Sequence, residues 1–419
     1  MNSANKKVAV IGGGVAGLLA AVHAAELGAD VRLFEKMDRI GLKMGITGKG
    51  RCNLTNIAPI ADFIGKTPGN GKFLYSAYEC FSNTDLLALL ADWGIGTVAE
   101  RGGRVFPKSQ DAQEVRHTFM RRLKETGVEL HLSEPAEHVV EKDGRVAAVQ
   151  TGKGTYETDA CIIATGGKSY PRTGSTGDGY RMAAELGHKV TALRPALIPL
   201  VCRNAYCREL QGLSLRNVTL SLSAGGRRKA SLFGEMIFTH FGISGPIVLS
   251  LSDQASLWLS QGHEVTGEID LKPALSEEVL DKRILRDLAK YHLKQMRNAL
   301  QELMPQRLID VILAMSDISP QLPVSELTKH QRANLRYAIK HMPLAVTGTR
   351  PIEEAIVTAG GVSVKEIQSS TMESKLVKGL YFAGEVMDIH AYTGGYNLQA
   401  AFSTGYTAAE HAAGWGEKK

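Results

Sequence analysis

The first forty residues show the clearest alternation between apolar runs and glycine-rich breaks. Val8–Ile11 are apolar, and residues 12–17 that follow contain four glycines. An alanine- and leucine-rich stretch over residues 18–27 comes next, and a second apolar run over residues 31–34 ends at Glu35. This pattern predicts a strand, a tight turn, a helix and a second strand, with an acidic side chain at the end of the second strand.

The glycines of this turn have different physical roles. Gly12 permits the sharp turn, Gly14 lets the backbone approach a pyrophosphate, and Gly17 lets the helix pack close to the strand. The start of the helix presents backbone N–H groups and a positive dipole end to phosphates. Glu35 follows Gly17 by 18 residues, near the spacing of about 20 at which a carboxylate accepts ribose hydroxyls. Together these features predict a dinucleotide-binding unit rather than a glycine turn of another kind.

The rest of the chain alternates between glycine loops and apolar segments. The pattern predicts a wrapping loop at 41–56, mixed helices at 74–131, an antiparallel meander at 137–158, a buried strand at 161–164 and a glycine loop at 170–179 that opens a helix. The pattern predicts mainly strands from 200 to 269 and helices from 276 to 341. Strand-like segments return at 354–358 and 379–385, before a glycine loop at 390–399 and a last helix at 400–412.

This order predicts one α/β domain that is interrupted by an insertion. We expect the α/β domain to comprise residues 1–194 and 345–419. The insertion would consist of a β-rich part at 195–272 and a helical part at 273–344. The second part carries charged faces and few glycines, and neither part carries a dinucleotide turn.

Composition narrows the class of protein. The chain has 419 residues, of which 44% are hydrophobic and 22% charged, as in a globular protein with a large core. We expect a cytoplasmic protein with no membrane association, because no apolar run approaches the ~20 residues of a bilayer span and residues 1–7 carry no secretory pattern. Five cysteines without a CxxC pair predict neither a disulfide framework nor a metal site. A net charge of +6 is compatible with a polyanionic partner.

Further motifs carry a resemblance to known flavoproteins. The N-terminal turn combines with Ala164-Thr165-Gly166, with the strand and turn at 381–385, and with a glycine-led final helix. This combination resembles the two-dinucleotide-binding-domain flavoproteins of the glutathione-reductase type. Longer motifs at 47–56, 170–179, 238–246 and 384–397 resemble, more narrowly, the BaiN/RdsA (YhiN-like) family. One departure is Lys49, where many relatives carry a glycine.

The resemblance implies an α/β fold in which a glutathione-reductase-like Rossmann FAD domain holds an inserted β-barrel-like plus helical module. It also implies which residues hold FAD. Gly14, Ala16 and Gly17 would contact the pyrophosphate beside the Gly12 turn, Glu35 would hold the adenosine ribose with Lys36 next to it, and Val140 would meet adenine through its backbone. Lys43, Gly50, Arg51, Cys52 and Asn53 would line the flavin side. Thr165 and Gly166 would close over the cofactor, and Gly384, Glu385, Asn397 and Leu398 would surround the ribitol and ring.

Four residues are candidates for the proton donor that reduction of a double bond needs: Cys52, His240, His390 and Tyr392. A cation beside Cys52 would lower the pKa of its thiol, and the alternative is a small residue that packs under the flavin. His240 lies in a loop that would reach the flavin from the insertion, whereas His390 and Tyr392 precede the final helix. A structural role stays open for each of them.

The resemblance implies an FAD-bound oxidoreductase without fixing its substrate. Members are described as NAD(P)H-dependent flavoproteins, aminoacetone oxidases, bile-acid-pathway reductases and ribosomal RNA dihydrouridine synthases. Because only the first dinucleotide turn is convincing, we expect NAD(P)H to visit the flavin transiently in the substrate cleft. We expect a monomer or small homo-oligomer that reduces an unsaturated substrate.

Uridine in ribosomal RNA is the first candidate substrate, because the family resemblance implies it and because basic residues favour a phosphate backbone. The basic residues in question are Arg101, Arg104, Arg227, Arg228, Lys229, Lys282, Lys290 and Lys294. One alternative is oxidation of a small amine such as aminoacetone by O2, which yields peroxide. The other is a non-catalytic flavin-containing RNA-binding factor.

Overall fold

The chain divides into two compact units in a computed structural model that describes residues 5–226 and 228–414. The first unit comprises Met1–Pro195 and Ile352–Lys419, and the second comprises Ala196–Pro351. Each unit has its own hydrophobic core. Arg227 lies outside the described residues, and so does the side chain of Arg228.

The strands and helices have the following bounds. The strands are β1 (Lys7–Ile11), β2 (Asp30–Glu35), β3 (Thr55–Asn56), β4 (Thr97–Ala99), β5 (Arg104–Pro107), β6 (Glu129–Leu132), β7 (Ala136–Lys142), β8 (Arg145–Thr151), β9 (Gly154–Glu157), β10 (Ala160–Ile163), β11 (Arg194–Ala196), β12 (Leu200–Cys202), β13 (Ser214–Ala224), β14 (Arg228–Thr239), β15 (Gly242–Ser244), β16 (Val265–Asp270), β17 (Met342–Thr349), β18 (Val357–Ala359) and β19 (Leu380–Phe382). The helices are α1 (Val15–Glu26), α2 (Leu42–Ile46), α3 (Ile60–Gly65), α4 (Tyr75–Cys80), α5 (Asn83–Asp92), α6 (Ala112–Glu125), α7 (Asp178–Glu185), α8 (Tyr206–Glu209), α9 (Pro246–Ser260), α10 (Glu277–Lys290), α11 (Met296–Ala299), α12 (Gln306–Met315), α13 (Lys329–Lys340) and α14 (Tyr396–Ala412).

A five-stranded parallel sheet forms the centre of the first unit, in the order β19-β10-β1-β2-β6. Val10 of β1 lies between Leu33 of β2 and Ile162 of β10, and all three side chains are fully buried. Continuous apolar runs suit such strands because helices or loops cover both faces of a parallel sheet. The chain order reverses at β1, so the carboxyl ends of the strands open a crevice there, as at other switch points of α/β sheets. The predicted Rossmann-type fold class is confirmed.

The first unit also contains two three-stranded antiparallel sheets. One is the predicted meander, confirmed as β7-β8-β9, and the other has the order β3-β5-β4. The prediction of a continuous loop at 41–56 is wrong over α2, which begins after Gly41 in the left-handed conformation with φ 66°. The last helix begins at Tyr396, before the predicted residue 400, and the strand predicted at 354–358 begins only at Val357.

The second unit is built around a closed six-stranded barrel. Its strand order is β12-β15-β14-β13-β16-β17, and every pairing is antiparallel. The predicted boundary at residue 345 lies inside β17, which closes the barrel against β12. The helix α9 lies within the segment predicted as β-rich and packs against β14. Helices α10 to α13 form the helical part, with α13 packed on both α10 and α12.

Candidate cofactor site

A cleft opens at the carboxyl ends of the parallel strands of the first unit. Its walls include Ile11 at the end of β1, Glu35 at the end of β2, Ala164 after β10 and Ala383 after β19. The space within the cleft, including the part that is open to solvent, is about 1400 Å³. All residues that line it belong to the first unit. Position at a switch point and a concave, mainly apolar wall are typical of a nucleotide-cofactor site.

The glycine turn between β1 and α1 forms the floor of this cleft. Gly12 has φ 109°, and a Cβ on it would lie 2.6 Å from the carbonyl oxygen of Ala164. A Cβ on Gly17 would lie only 1.9 Å from the carbonyl oxygen of Gly12. A Cβ on Gly14, by contrast, would meet no described atom within 4 Å. Gly12 and Gly17 are therefore required for packing, while Gly14 leaves open space in front of the helix.

The N-terminus of α1 opens on that space. Gly14 is the N-cap, and no described side chain caps the helix or places an acid in its first turn. Gly14, Val15 and Ala16 line the cleft, whereas Gly17 does not. Backbone N–H groups and the positive helix end thus face the cleft without a competing carboxylate in that turn. This arrangement suits a pyrophosphate.

Glu35 ties the end of β2 to the glycine turn. Its Oε2 accepts a hydrogen bond from the Gly13 amide at 2.7 Å, and its Oε1 accepts one from Met37 at 2.8 Å. Burial raises the pKa of this carboxyl, while the two backbone amides oppose the rise. Glu35 lines the cleft together with Pro135 and Ala136 at the start of β7. Val140 is not among the described residues that line it, and its side chain is exposed.

A second carboxylate stands near this end of the cleft. Lys36 forms an ion pair with Asp178 of α7 at 2.6 Å and also donates to the hydroxyl of Thr176. Both Lys36 and Asp178 line the cleft. The sequence interpretation assigned Lys36 to the cofactor but missed Asp178, although Asp178 lies in the glycine loop that it singled out.

Lys43 and Glu385 meet on the opposite wall. The Lys43 Nζ donates to Glu385 Oε2 and to the Ser169 hydroxyl, both at 2.7 Å. Glu385 Oε1 accepts a hydrogen bond from the Thr358 amide at 2.8 Å. Lys43 and Glu385 both line the cleft. The two residues were predicted as separate cofactor contacts, and they form one ion-paired wall that fixes α2 against the turn after β19.

The N-terminus of α14 opens on the same cleft. Gly395 is its N-cap with φ 99°, and a Cβ there would lie 2.2 Å from the carbonyl oxygen of Thr55. The Asn53 amide accepts from Gly395 N at 3.0 Å when its oxygen faces that group, so Asn53 supports the cap. Asn397 and Leu398 of the first turn line the cleft. No acidic residue is present in this first turn either.

Asn397 also holds the segment that precedes the helix. Its Oδ1 accepts from the Ala391 amide at 2.8 Å, and its Nδ2 donates to the Ala391 carbonyl at 2.7 Å and to the Tyr392 carbonyl at 3.3 Å. His390 lines the cleft and is 5% exposed. A Cβ on Gly69 would lie 2.3 Å from the His390 ring, so the imidazole is tightly seated. Tyr392 is not among the described residues that line the cleft.

Four residues predicted on the flavin side, Gly50, Arg51, Cys52 and Asn53, are not among the described residues that line the cleft. The Arg51 guanidinium donates to Glu100 at 2.8 Å and to Gln110 at 2.7 Å and lies over the Phe106 ring. The prediction that a cation lowers the pKa of Cys52 is wrong, because Cys52 is fully buried and burial raises its pKa to about 12.

Thr165 and Gly166 line the cleft after β10, and so does Gly384. The Thr165 hydroxyl oxygen is buried without a hydrogen-bond partner among the described residues. His240 belongs to the second unit, where its side chain is exposed between β14 and β15. Its contact with a flavin stays a prediction.

The residues present fit an FAD. Two helix N-termini without acidic first turns, an open approach at Gly14 and a buried hydroxyl without a partner all face or flank one cleft. The wall residues Arg39, Thr67, Ser175 and Met182 were missed by the sequence interpretation. Ser175 lies in the glycine loop at 170–179 that the sequence analysis singled out, whereas no pattern in the sequence distinguishes Arg39, Thr67 and Met182, which the fold alone brings to the cleft. Among the described residues no cluster of three or more His, Cys, Asp or Glu is arranged to hold a metal.

The parallel sheet, the cleft at its switch point and the glycine-led helices define a Rossmann FAD-binding domain. Together with the relatives described below, this domain makes the protein a flavin-dependent oxidoreductase. Residues 6–411 match the HI0933-like protein Rossmann domain, and the chain belongs to that family. The resemblance to the BaiN/RdsA (YhiN-like) family, predicted from the motifs, is confirmed. No described helix is of a length and apolarity that would cross a bilayer.

Several relatives match the chain over nearly their whole length. A 3-dehydro-bile acid delta(4,6)-reductase of Clostridium scindens is 32% identical over 410 residues, which cover 97% of this chain and 99% of the relative. A ribosomal RNA dihydrouridine synthase of Haemophilus influenzae is 33% identical over 406 residues, 96% of each chain. An Escherichia coli protein of the same name is 31% identical over 405 residues.

Solved structures share the architecture at low identity. The 3-ketosteroid-delta4-(5alpha)-dehydrogenase of Rhodococcus jostii RHA1 has a TM-score of 0.54 at 15% identity, with 99% of this chain and 98% of that chain covered. The open conformation of a flavocytochrome c3 fumarate reductase has a TM-score of 0.52 at 17% identity, with 98% and 78% covered. At these identities the likeness establishes the fold alone.

Proposed function

We propose that the protein uses FAD and NAD(P)H to reduce uridine to dihydrouridine in ribosomal RNA. The observation that carries the flavin part is the convergence of two helix N-termini, those of α1 and α14, on one cleft. The near full-length similarity to two relatives named ribosomal RNA dihydrouridine synthase supports the RNA substrate. The NAD(P)H part rests on the family resemblance and on the need for a source of two electrons.

The chain's own residues divide the work around the cofactor. FAD, when bound, supplies the hydride chemistry. The α1 N-terminus would bind the diphosphate, and the Lys43–Glu385 wall would support the side of the cleft toward α14. The dipole of α14 would favour negative charge at its first turn, where Asn397 and Leu398 lie.

Reduction of a C=C bond needs a proton as well as a hydride. Of the four predicted donors, only His390 is among the described residues that line the cleft. Its seat against Gly69 and the hold of Asn397 on the adjoining backbone would orient the imidazole. We therefore assign the proton-donor role to His390. We also propose that the protein is located in the cytoplasm.

The Clostridium scindens relative favours a second candidate, the reduction of a small unsaturated ring compound such as a 3-dehydro bile acid. Both candidates add two hydrogens to a C=C bond and need the same cleft chemistry. They differ in whether the substrate presents a phosphate backbone. An amine oxidase that releases peroxide, or a non-catalytic flavin-containing RNA-binding factor, would instead leave the double bond untouched.

The test begins with the purified protein. We expect it to bind FAD, and we expect NADH or NADPH to bleach the flavin under anaerobic conditions. The reduced protein should then convert uridine to dihydrouridine in ribosomal RNA from a strain that lacks the gene, as measured by mass mapping. If the ribosomal RNA of that strain contains as much dihydrouridine as that of the wild type, and the purified protein reduces an unsaturated steroid acid instead, the second candidate is selected. Peroxide release with aminoacetone would select the amine oxidase.

Two histidine variants distinguish a role in proton donation from a general effect of replacing a histidine. His390→Gln should keep FAD and its reduction by NAD(P)H, but single-turnover product formation should fall by about 10²-fold or more. His138→Gln is the matched control, because His138 is an exposed residue of the same unit that lies outside the lining of the cleft. Equal rates for the two variants would remove His390 as the donor.

A further inference from the structure

One stretch of the second unit carries a strong local excess of positive charge. Residues 282–297 contain six lysines or arginines and one aspartate. The stretch begins in α10, continues through an exposed turn and ends in α11. Lys282, Arg286 and Lys290 are four residues apart and therefore lie on one stripe of α10, where each is exposed.

The single acid of the stretch does not neutralise this stripe. Asp287 is 4% exposed and points toward the interior of the unit. Its carboxylate accepts from Arg283 Nε at 2.7 Å and lies 3.4 Å from Arg286 Nε. The Arg286 side chain remains 69% exposed, so its charge still faces solvent. Asp287 thus satisfies Arg283 and orients Arg286 without covering it.

Two flanking acids offset part of the charge. Glu302 pairs with Lys290 at 2.8 Å, and Asp310 pairs with Arg297 at 2.8 Å. Both pairs are solvent-exposed, and such pairs contribute little to stability, so a polyanion can replace the carboxylate partner. Among the described residues, neither Lys282 nor Lys294 forms a close ion pair with a carboxylate, although Glu278, one helical turn before Lys282, interacts with Lys282 at longer range.

The exposed turn adds an apolar and an aromatic group to the charges. Leu293 is 89% exposed, more than any other large hydrophobic side chain among the described residues. A hydrogen bond from Lys294 N to the Tyr291 carbonyl at 2.8 Å closes the turn. The next residue, Gln295, forms a β-bridge with Pro323. The Lys294 ammonium lies 4.3 Å from the centre of the Tyr291 ring. The backbone therefore holds Leu293 outward between cationic side chains.

We propose that this surface, the basic ridge formed by Lys282, Arg286, Lys290, Leu293, Lys294 and Arg297, binds the backbone and one unstacked base of the substrate RNA. The inference rests on the proposed function, since it assumes that RNA is the substrate. Lys282 and Lys290 lie roughly 12 Å apart along the helix, enough for each to contact a separate phosphate. An unpaired RNA base would stack on the exposed Arg286 guanidinium, and Leu293 would add apolar contact at its edge.

A charge-reversal variant tests the ridge directly. The variant Lys282→Glu, Lys290→Glu, Lys294→Glu should bind ribosomal RNA from the deletion strain at least about tenfold more weakly. The dependence of log Kd on log salt should become shallower by about three, one for each lysine lost. The matched control reverses Lys72, Lys124 and Lys142, which are exposed lysines of the first unit outside the cleft lining. The control has the same net charge as the ridge variant. Because its substitutions lie outside the ridge, its affinity for RNA should stay within about threefold of the wild type.

The remaining measurements keep the two proposals apart. NADPH reduction of the flavin should be equal in the wild type, the ridge variant and the control, which also reports correct folding of the first unit. A neutral variant with Gln at the same three positions covers the case in which the reversal unfolds the second unit. If the wild type makes dihydrouridine but the ridge variants keep its RNA affinity and its salt dependence, the assignment of RNA binding to the ridge is wrong and the proposed function stands. If the wild type binds no RNA, or the ridge binds only acidic vesicles, the inference is overturned.

Discussion

At the scale of single residues, the cleft shows which sequence predictions depended on residue type and which on geometry. Gly12, Gly14 and Glu35 were assigned from spacing alone, and all three line the cleft. Lys43 and Glu385 are separated by 342 residues, so no local pattern could show that they form an ion pair. Val140 and Arg51 were assigned by resemblance, yet neither is among the described residues that line the cleft.

Cys52 gives a prediction at this scale. Its thiol is fully buried, its pKa is raised to about 12, and it is not among the described residues that line the cleft. A Cys52→Ala variant should therefore keep single-turnover reduction within about threefold, whereas loss of a general acid costs about 10²-fold or more. The measurement is the product yield after one flavin oxidation, compared with His390→Gln. A loss as large as that of His390→Gln would restore the thiol as the donor.

At the scale of elements, the strand–turn–helix unit was predictable because Gly12 and Gly17 are required by packing and therefore leave a fixed spacing in the sequence. The start of α14 was less predictable. The helix begins where Gly395 packs against Thr55, and this tertiary contact is not visible in the sequence. The helix α9 was missed for a related reason. Its first residue is Pro246, a helix-starting signal, but a β-rich pattern surrounds it.

Gly14 and Gly17 should respond differently to the same substitution. Gly17→Ala places a methyl group 1.9 Å from the Gly12 carbonyl oxygen, so α1 must move from β1 and the free energy of unfolding should fall by about 3 kcal/mol or more. Gly14→Ala meets no described atom within 4 Å and has φ −82°, so the apoprotein should keep its stability.

The two measurements are thermal unfolding of the apoprotein and FAD affinity. Gly14→Ala should weaken FAD binding about tenfold or more, because its methyl group would occupy the space through which a pyrophosphate reaches the α1 amides. Unchanged FAD affinity in this variant would contradict the assignment of the α1 N-terminus to the cofactor.

His23 couples α1 to α14 in a pH-dependent way. Burial disfavours its charged form, but the carboxylates of Glu26 and Glu410, 3.8 and 3.9 Å away, outweigh that cost and raise its pKa above the ordinary 6.5. The ring also stacks on Tyr406 at 3.7 Å. Because the pKa is raised on folding, the added stability is fully present below pH 6.5 and disappears as the pH rises through the folded value.

His23→Gln should therefore lower the melting temperature more at pH 5.5 than at pH 8.5. The exposed His117 serves as the control, since His117→Gln should leave the pH dependence of unfolding unchanged. Thermal unfolding followed by circular dichroism at both pH values measures the difference. An equal destabilisation at the two pH values would show that the ring contributes by packing alone.

At the scale of the whole molecule, the interrupted architecture was predictable from the change of texture, since the dinucleotide pattern stops and later returns. The return point was harder to predict. Residues 345–349 precede the glycine turns of the final segment, but their alternating pattern belongs to β17, which pairs with both β12 and β16. Which strands close a barrel depends on pairing between distant segments, and the period of a strand does not report its partner.

This architecture predicts that residues 196–351 fold as an independent domain. Their first and last strands are paired, with Leu200 opposite Thr349, so the segment enters and leaves the unit at one place. The closed barrel has no open edge at this seam, and the core of the unit is its own. Chain termini that lie close together are typical of insertions that fold alone.

The isolated segment 196–351 should therefore be folded, colourless and cooperative in thermal unfolding. A second fragment that begins at residue 196 but ends at residue 344, the predicted boundary, should lose cooperativity, because it removes the last residues of β17 that pair with β12. Near-ultraviolet circular dichroism and the sharpness of the melting transition compare the two fragments. If both melt equally sharply, β17 does not close the barrel in solution. If neither does, the second unit depends on the first for its stability, and the division of the chain into independently folding parts is incorrect.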